Sequence, residues 1–477
     1  MKIPIAGALT GENREQIPVL NPVTNEQIDT VPCVTKEDID FAVEAAKEGQ
    51  TEWGALSQQS RNKIMRKFVE LYEQDRHELA TLLSRETGKI LSESEGEMDS
   101  CTNLTNGYCE KAAHMYGNCL PGGSTEGNES HDITFTRFEP LGTIACLLPF
   151  NFPIDLFGHK AIPALVAGNA VIVKPSTDNP LTVIRMVEYL HKAGVPKKAA
   201  QVVTGRGSMI GDYLVSHPGI QAVSMTGSTK VGISIYQKAA ANLTRVFLEL
   251  GGNDAFVVLE DSDVDLAVKE AIGSRVPNAG QICCASKRFI VHRSLAESFA
   301  EKLIAALKEI KMGDPFDPTV HMGSLISKKA AEQVEEQVNY TLGQGATLAY
   351  GGKRDGAFYC PTVLTNVTAE MDIAKDLEIF AAVFPIIPFD TTEEAVKIAN
   401  QSSYGLSGAV FSSDAKKAIC VAAKMKAGGV VINGGSCFRT PDLAFGGFKK
   451  SGIGREGVSR TLEEMVQEKN YSLKNIL

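Results

Sequence analysis

The chain has 477 residues, 43% hydrophobic and 22% charged, with a formal net charge of −9, so it is long enough for roughly two to four domains with cores of their own. An acidic surface of this kind argues against nucleic acid and anionic membranes as partners, but not against an anionic small molecule at a local positive site. No apolar run reaches the roughly 18 residues of a membrane span, and Met1-Lys2-Ile3-Pro4-Ile5 lacks the apolar core of a signal peptide, so a cytoplasmic protein is expected.

The 10 cysteines include no C-x-x-C pair, and the 8 histidines no metal-ligand spacing. No metal is expected, and most thiols read as buried. In chain order, residues 36–50 and 54–84 read as amphipathic helices, the first with Thr35 as N-cap. Strands and helices then alternate. Strands are expected at 142–148, 170–173, 200–203 and 220–224, and helices at 155–168, 181–194, 208–216 and from 229. This alternation implies an α/β fold with a parallel sheet covered on both faces. The pattern restarts after Gly251-Gly252, with strands at 255–259 and 288–291 and helices at 263–275 and 294–311. Residues 132–139 alternate polar and apolar like one arm of a hairpin, and the tail 464–477 is polar with a short strand-like piece. Both suit contacts between subunits.

Three segments carry chemistry. Asn278-Ala-Gly-Gln-Ile-Cys283-Cys284 places a cysteine after a small-residue turn, whose free N–H groups favour a thiolate and a developing oxyanion. Leu248-Glu249-Leu250-Gly251-Gly252 sets a glutamate in an apolar strand, where desolvation raises a carboxyl toward general-base range. Pro149-Phe150-Asn151-Phe152-Pro153 fixes one amide side chain between two prolines, where it can donate to an oxyanion. Taken singly, each also reads structurally: a buried cysteine pair, a strand-end glutamate paired with a cation, a turn-forming asparagine. Together they supply nucleophile, base and oxyanion donor at strand ends, where α/β sites collect.

At this point the chain resembles the aldehyde dehydrogenase superfamily over nearly its whole length. The resemblance rests on Pro149-Phe-Asn-Phe-Pro153, Gly168-Asn-Ala-Val-Ile-Val-Lys-Pro-Ser176, Thr226-Gly-Ser-Thr229, Leu248-Glu-Leu-Gly-Gly252, Asn278-Ala-Gly-Gln-Ile-Cys283, Glu378-Ile-Phe380 and Phe445-Gly-Gly-Phe-Lys-Lys-Ser-Gly452 followed by Gly454-Arg-Glu456. It implies an aldehyde dehydrogenase-like fold in three parts. These are a Rossmann-like dinucleotide-binding domain (1–117 and 141–250), an α/β catalytic domain (251–462) and a β oligomerisation arm (118–140 and 463–477). It also implies a homodimer or homotetramer. By resemblance Cys283 is the nucleophile, Glu249 the base and Asn151 the oxyanion donor. The expected reaction converts a small aldehyde to its acid through a thiohemiacetal and a thioester, with hydride passing to NAD or NADP.

No G-x-G-x-x-G follows the first strand. Gly205-Arg-Gly-Ser-Met-Ile-Gly211 and Gly227-Ser228 instead offer glycine loops at helix starts, each an ordinary βα turn when read alone. The resemblance makes them dinucleotide loops. Arg206, Gly207, Gly211, Gly227 and Ser228 are then expected at the cofactor, with Phe150 and Leu250, Lys174 at the adenine ribose, Glu378 at the nicotinamide ribose and Phe380 against the ring. Many NAD-preferring relatives carry Glu where Thr177 stands, so Thr177 beside Lys174 and Arg206 favours acceptance of NADP. Ala381-Ala382, Ala444 and Asn253 depart from the common pattern. Glu249 argues for thioester hydrolysis over CoA acylation, and Ile282 before Cys283 argues against a phosphorylated-aldehyde enzyme. Leu156-Phe-Gly-His159-Lys160 lacks the Arg typical of succinate-semialdehyde enzymes. Arg275 and Arg439 stand as candidate contacts for a carboxylate or hydroxyl, and lactaldehyde-like or other short substrates fit slightly better than these alternatives. A non-catalytic protein on the same fold is the alternative from a different class.

Overall fold

A computed structural model describes residues 1, 3–5, 8–10 and 13–475. Lys2 of the N-terminal segment, the remaining gaps in 1–117 and the last two residues of 463–477 lie outside the described residues. Two sheets organise the chain. The first has six strands in the order Gly452–Ile453, Arg245–Glu249, Ala222–Thr226, Thr143–Leu147, Ala170–Lys174, Ala200–Val202. All pair in parallel except the edge strand Gly452–Ile453. The second has seven strands in the order Thr347–Tyr350, Thr362–Thr365, Val383–Phe389, Ser286–His292, Asp254–Val258, Gly408–Phe411, Val431–Ile432, with only Thr347–Tyr350 antiparallel. Continuous apolar runs such as Ala170–Lys174, buried at every position, are what a sheet covered on both faces requires.

Each sheet has its own core. One spans buried residues from Ile3 to Leu250 and is joined by Val458, Leu462, Met465 and Val466. The other runs from Ala255 to Met425. Val458 and Leu462, which the sequence placed in the catalytic part, therefore pack with the first sheet, next to its borrowed strand Gly452–Ile453.

The elements differ from the sequence reading in several places. The single helix expected over 54–84 is two, Gln58–Gln74 and Arg76–Thr87. The break falls at Asp75 (φ −108°, ψ 18°), whose carboxylate accepts from the Tyr189 hydroxyl. The helix expected over 208–216 begins as a single wide turn, Gly207–Gly211, and only then becomes Asp212–Ser216. Ile133–Pro140 pairs antiparallel with the preceding short strand Cys119–Leu120, as a hairpin arm would, but along its whole length its main partner is Val466–Leu473, more than 300 residues away in sequence. Phe135 and Tyr471 stack across that pairing with ring centroids 5.1 Å apart.

The helix Leu91–Ala113, the longest among the described residues, had no sequence signal. Its buried face carries Ser94, Glu97 and Thr105 beside Met98, Cys101 and Leu104, which blurs the apolar stripe that marks a surface helix.

Candidate active site

The turn 148–152 leaves the strand Thr143–Leu147 and enters the helix Pro153–Val166, with Pro153 at the first helical position, where its missing N–H costs nothing. Asn151 sits in this turn, 6% exposed. Its side-chain amide donates to the Gln281 carbonyl at 2.9 Å. Its own backbone carbonyl accepts from Lys89 Nζ at 2.7 Å and from Asn278 Nδ2 at 2.9 Å. One peptide group thus locks the asparagine turn to the loop before Cys283.

That loop is unusual in itself. Asn278, Ala279 and Gly280 hold φ of 51°, 54° and 79° in succession. Two non-glycine residues in the left-handed region store strain of order 1–3 kcal/mol each, which the surroundings must over-determine. They do so through Glu93, which accepts from the Asn278 N–H at 2.8 Å, and through Gln281, whose carboxamide oxygen accepts from the Ile326 N–H at 2.9 Å. Gly280 is required: a Cβ there would lie 2.3 Å from the Ala381 carbonyl carbon.

Cys283 lies at the wall of a cavity of about 390 Å³, which Asn151, Thr226, Gly227, Ser228, Leu250, Glu378 and Phe380 also line. A hydrogen bond with Cys284, and then burial, raise the Cys283 thiol well above its ordinary value. It therefore rests protonated and needs a base. Glu249 ends the strand Arg245–Glu249 and is 5% exposed, behind the cavity wall. One of its carboxylate oxygens, Oε2, is buried with no hydrogen-bond partner. Burial, followed by the charge of Glu456, pushes it well above the usual carboxylate range. Glu456 is shifted the other way. Despite its burial, the Lys160 ammonium, His159 and Arg439 hold it far below that range. Lys160 donates to Glu456 at 2.7 Å and Arg439 at 2.8 Å. Two neighbouring carboxyls are thereby driven apart, Glu456 to stay ionised and Glu249 to accept a proton more readily, as a general base must.

The double glycine after Glu249 has a steric cause. A Cβ on Gly251 would meet Glu378 Oε2 at 2.5 Å, and one on Gly252 would meet the Cys283 carbonyl oxygen at 3.0 Å. Buried Lys287 bridges the same two groups, donating to the Cys283 carbonyl and standing 3.3 Å from Glu378 Oε1. Phe150 and Phe380 meet edge to face at 6.1 Å.

The turn 149–153 separates this cavity from a second one of about 350 Å³, which Phe152, Asp155, His159 and Arg439 line. Arg439 lies over the Phe445 ring and donates to His159 Nε2 at 3.0 Å. Burial lowers His159 to about 4, so its ring is neutral and Nε2 accepts.

Of the sequence-read residues, Phe150, Gly227, Ser228, Leu250, Glu378 and Phe380 share the first cavity with Cys283 and Asn151. Lys174, Thr177, Arg206, Gly207 and Gly211 lie outside it. The Thr177 hydroxyl donates to the Gly205 carbonyl at 3.3 Å, which sets it next to the 205–211 loop. Arg206 pairs with Glu15 at 3.2 Å, both side chains more than half exposed, a pairing worth little in water. Arg275 is no substrate contact: it is 1% exposed, and its guanidinium donates to the carbonyls of Val383, Gly280 and Ile379.

Several groups suit a dinucleotide. The Thr226 hydroxyl in the cavity wall is buried without a partner. Lys174 ends the strand Ala170–Lys174, and its buried ammonium makes one long bond, 3.3 Å to the Pro175 carbonyl, among the described residues. Burial lowers it to about 8. A Cβ on Gly207 or Gly211 would meet nothing within 4 Å, which leaves that backbone open to close approach. The helix Thr229–Ala239 presents its N-terminus at Gly227-Ser228, a ready site for phosphate. Sequence reasoning missed Lys89, Glu93, Glu97, Asn278, Lys160, Glu456 and Lys287 as supports. Asn278 and Glu456 lie within the motifs quoted above without a support role read from them, and Ser286-Lys287-Arg288, charge entering an apolar strand, also carried a signal.

Residues 9–471 match the model of the aldehyde dehydrogenase family. The chain is similar to a 3-sulfolactaldehyde dehydrogenase of Priestia aryabhattai, 36% identical over 455 residues, 95% of this chain and 94% of that one. It is similar to a lactaldehyde dehydrogenase of Methanococcus maripaludis, 35% identical over 467 residues, 97% and 98% of the two chains. Among solved structures it resembles a glyceraldehyde-3-phosphate dehydrogenase of Methanocaldococcus jannaschii complexed with NADP, with TM-score 0.92, 34% identity, and 97% and 99% of the two chains covered. The arrangement of the site and these likenesses agree: the chain belongs to the aldehyde dehydrogenase family and is an NAD(P)-dependent oxidoreductase acting on aldehydes.

Proposed function

We propose that the protein oxidises a short 2-hydroxyaldehyde to its carboxylic acid through a covalent thioester on Cys283. The observation that carries this reading is the cavity itself. It presents one thiol, the Asn151 turn and the Cys283 loop, with an unpartnered carboxylate oxygen of Glu249 close behind. Glu249 takes the thiol proton, and the Cys283 sulfur adds to the aldehyde carbon. The oxyanion so formed is met by the Asn151 side-chain amide, once it turns from the Gln281 carbonyl, and by the Cys283 N–H; one such donor is worth roughly 3–4 kcal/mol. When bound, NAD(P) supplies the nicotinamide ring that accepts the hydride. After passing the thiol proton to solvent, Glu249 draws a proton from the water that attacks the thioester; the carbon–sulfur bond breaks, Cys283 leaves as thiolate, and the product acid departs.

Phe150, Gly227, Ser228, Leu250, Glu378 and Phe380 would hold the nicotinamide half. Lys174, Thr177, Arg206, Gly207 and Gly211 would hold the adenosine half, with the pyrophosphate reaching the helix N-terminus at Gly227-Ser228. The substrate approaches through the second cavity. The names of the three similar proteins all specify three-carbon 2-hydroxyaldehydes, two with an anionic end. Arg439, anchored by Glu456 and 23% exposed, offers a cation there. The two cores support a cofactor-binding and a catalytic domain. The sheet of Cys119–Leu120, Ile133–Pro140 and Val466–Leu473, in which Gln467–Asn470 are exposed, supports a homodimer or homotetramer. No helix among the described residues is long and apolar enough to cross a membrane, which is compatible with a cytoplasmic enzyme.

The test is a panel of aldehydes assayed with both NAD and NADP, with product identified. Lactaldehyde, glyceraldehyde and their anionic 3-substituted forms should give the highest kcat/KM, with free acid formed in the absence of CoA. A strict requirement for CoA, or a preference for long alkyl aldehydes, would overturn the reading.

A further inference from the structure

Three thiols gather at one side of the cavity, and the dehydrogenase chemistry uses only the first. Cys283 faces the cavity and is partly exposed. Cys284 is 6% exposed, follows Cys283 directly in the chain, and shares one small apolar cluster with Cys283 and Cys437. Cys437 comes from the loop after Val431–Ile432. It donates to the Cys284 carbonyl at 3.4 Å and to the Ser274 carbonyl at 3.5 Å. The neighbouring Ser436 hydroxyl also donates to the Cys284 carbonyl, at 2.7 Å, and pins the loop there. Cys283 and Cys437 both pack against the small apolar cluster that contains Cys284.

An oxidant that enters the cavity meets Cys283, because Cys284 is covered. Sulfenic acid formed there condenses with a nearby thiol faster than it proceeds to the irreversible sulfinic acid, if such a thiol is in reach. Cys284 is in reach, but it is a poor resting partner. Consecutive Cα atoms stand about 3.8 Å apart, below the roughly 4.4–6.8 Å that a relaxed disulfide spans. A strained disulfide is readily attacked by a third thiol.

We propose that Cys284 and Cys437 are resolving thiols, so that a hydroperoxide entering the cavity ends as a Cys284–Cys437 disulfide with Cys283 restored. The Cys283 sulfur attacks the terminal oxygen of the hydroperoxide: the S–O bond forms, the O–O bond breaks, and the alcohol leaves with the thiol proton. The Cys284 sulfur attacks the Cys283 sulfenic acid: the S–S bond forms, the S–O bond breaks, and water leaves. The Cys437 sulfur attacks Cys284, and Cys283 departs as thiolate and regains the proton. In sum the two resolving thiols lose two electrons and the hydroperoxide gains them. An external dithiol resets the site.

The proposal rests on Cys283 being the thiol open to the cavity, as in the catalytic reading above. The experiment treats the enzyme with cumene hydroperoxide, follows dehydrogenase activity, and maps thiols by differential alkylation and mass spectrometry. Wild type should keep most of its activity, with Cys283 alkylatable and Cys284 linked to Cys437. Cys437→Ser, whose hydroxyl can make the same two hydrogen bonds, should start with normal activity and lose it about tenfold faster, with oxidation retained on Cys283. Equal loss rates in the two proteins, or a free Cys437 thiol in oxidised wild type, would overturn the proposal. Cys283→Ala separates the two readings. If it retains dehydrogenase activity, the catalytic reading fails, while the thiol map still decides the relay. If it forms the Cys284–Cys437 disulfide as fast as wild type, the relay fails on its own.

Discussion

Replacing Lys89 by Met removes the ammonium that holds the Asn151 carbonyl at 2.7 Å and pairs with Glu97, while keeping the length of the side chain. Lys89 is 1% and Glu97 3% exposed. Breaking such a buried pair from one side costs about 3–5 kcal/mol, because the remaining charge is left uncompensated. Glu97 softens this in two ways. It still accepts the N–H groups of Ile154 and Asp155 at the start of the helix Pro153–Val166. Its carboxyl is also already raised by burial, with Lys89 opposing the rise. Without Lys89 it rises further, so the variant should take up a proton on folding. The sign follows: the added penalty is full above the raised folded pKa, shrinks as pH falls through it, and is gone below the unfolded carboxylate pKa. The urea midpoint of Lys89→Met should therefore sit well below wild type at pH 8 and approach it toward pH 5.5. Adding Glu97→Gln should recover much of the midpoint. The catalytic loss should not recover, because the Asn151 peptide then depends on Asn278 alone. About tenfold in kcat, or 1.4 kcal/mol, is expected, against the hundred- to thousandfold for losing an oxyanion donor outright. Lys89→Arg should restore part of it. An unchanged kcat with a lowered midpoint would reduce Lys89 to a structural residue and refute the positioning argument.

Cys283→Ala should abolish dehydrogenase activity with cofactor binding, read by fluorescence titration, intact; Cys284→Ala should stay active, and the reverse result would shift the nucleophile by one residue. Glu249→Gln should lose steady-state turnover and form NAD(P)H slowly if at all, and any acyl adduct that does form on Cys283 should persist by mass spectrometry; full steady-state turnover would remove Glu249 from the mechanism. Because burial and Glu456 raise Glu249, turnover in wild type should fall as pH drops, at a pH above the usual carboxylate range, and a profile flat down to pH 5 would contradict that. NADP should be used at least as well as NAD, and Thr177→Glu should raise the NADP KM about tenfold or more, since it sets a carboxylate against the 2′-phosphate where a charge-assisted bond is worth roughly 1.5–3 kcal/mol; an unchanged KM would place the 2′-phosphate elsewhere. As Lys174 titrates at about 8, the NADP KM should climb between pH 7.5 and 9, and Lys174→Met should flatten that climb.

The parallel strands were legible because each is an apolar run with helical spacing after it. Ala170–Lys174 and Ala222–Thr226 are buried at every position, and no register argument was needed to find them. What pairs with what was not legible. The register of Val466–Leu473 against Ile133–Pro140 and the seating of Gly452–Ile453 on Leu248-Glu249 join residues hundreds of positions apart. Local alternation shows that a strand exists, not where its partner lies. The break at Asp75 was hidden for another reason. The apolar period continues through it, and the Tyr189 hydroxyl on a different helix settles the issue.

The same division runs through the site. Cys283, Glu249 and Asn151 stood out because each is an odd residue in its surroundings: a thiol after a glycine turn, a charge in an apolar strand, an amide between prolines. Their supports did not, because Lys89 follows a helix C-terminal glycine and reads as solvated, and Glu97 lies on a helix with no clean apolar face. The supports nevertheless determine the chemistry. Glu249 is a base because Glu456, one strand-edge loop away, is held ionised by Lys160 and Arg439, so the proton that two buried carboxyls would dispute falls to Glu249. Had Glu456 been neutral, its repulsion would vanish and Lys160 would have no partner but Glu249 itself. A base paired that tightly would sit low in pKa and hold its proton poorly. The reactive carboxylate is thus a property of four residues from three separate stretches of chain, and no window of sequence around Glu249 contains it.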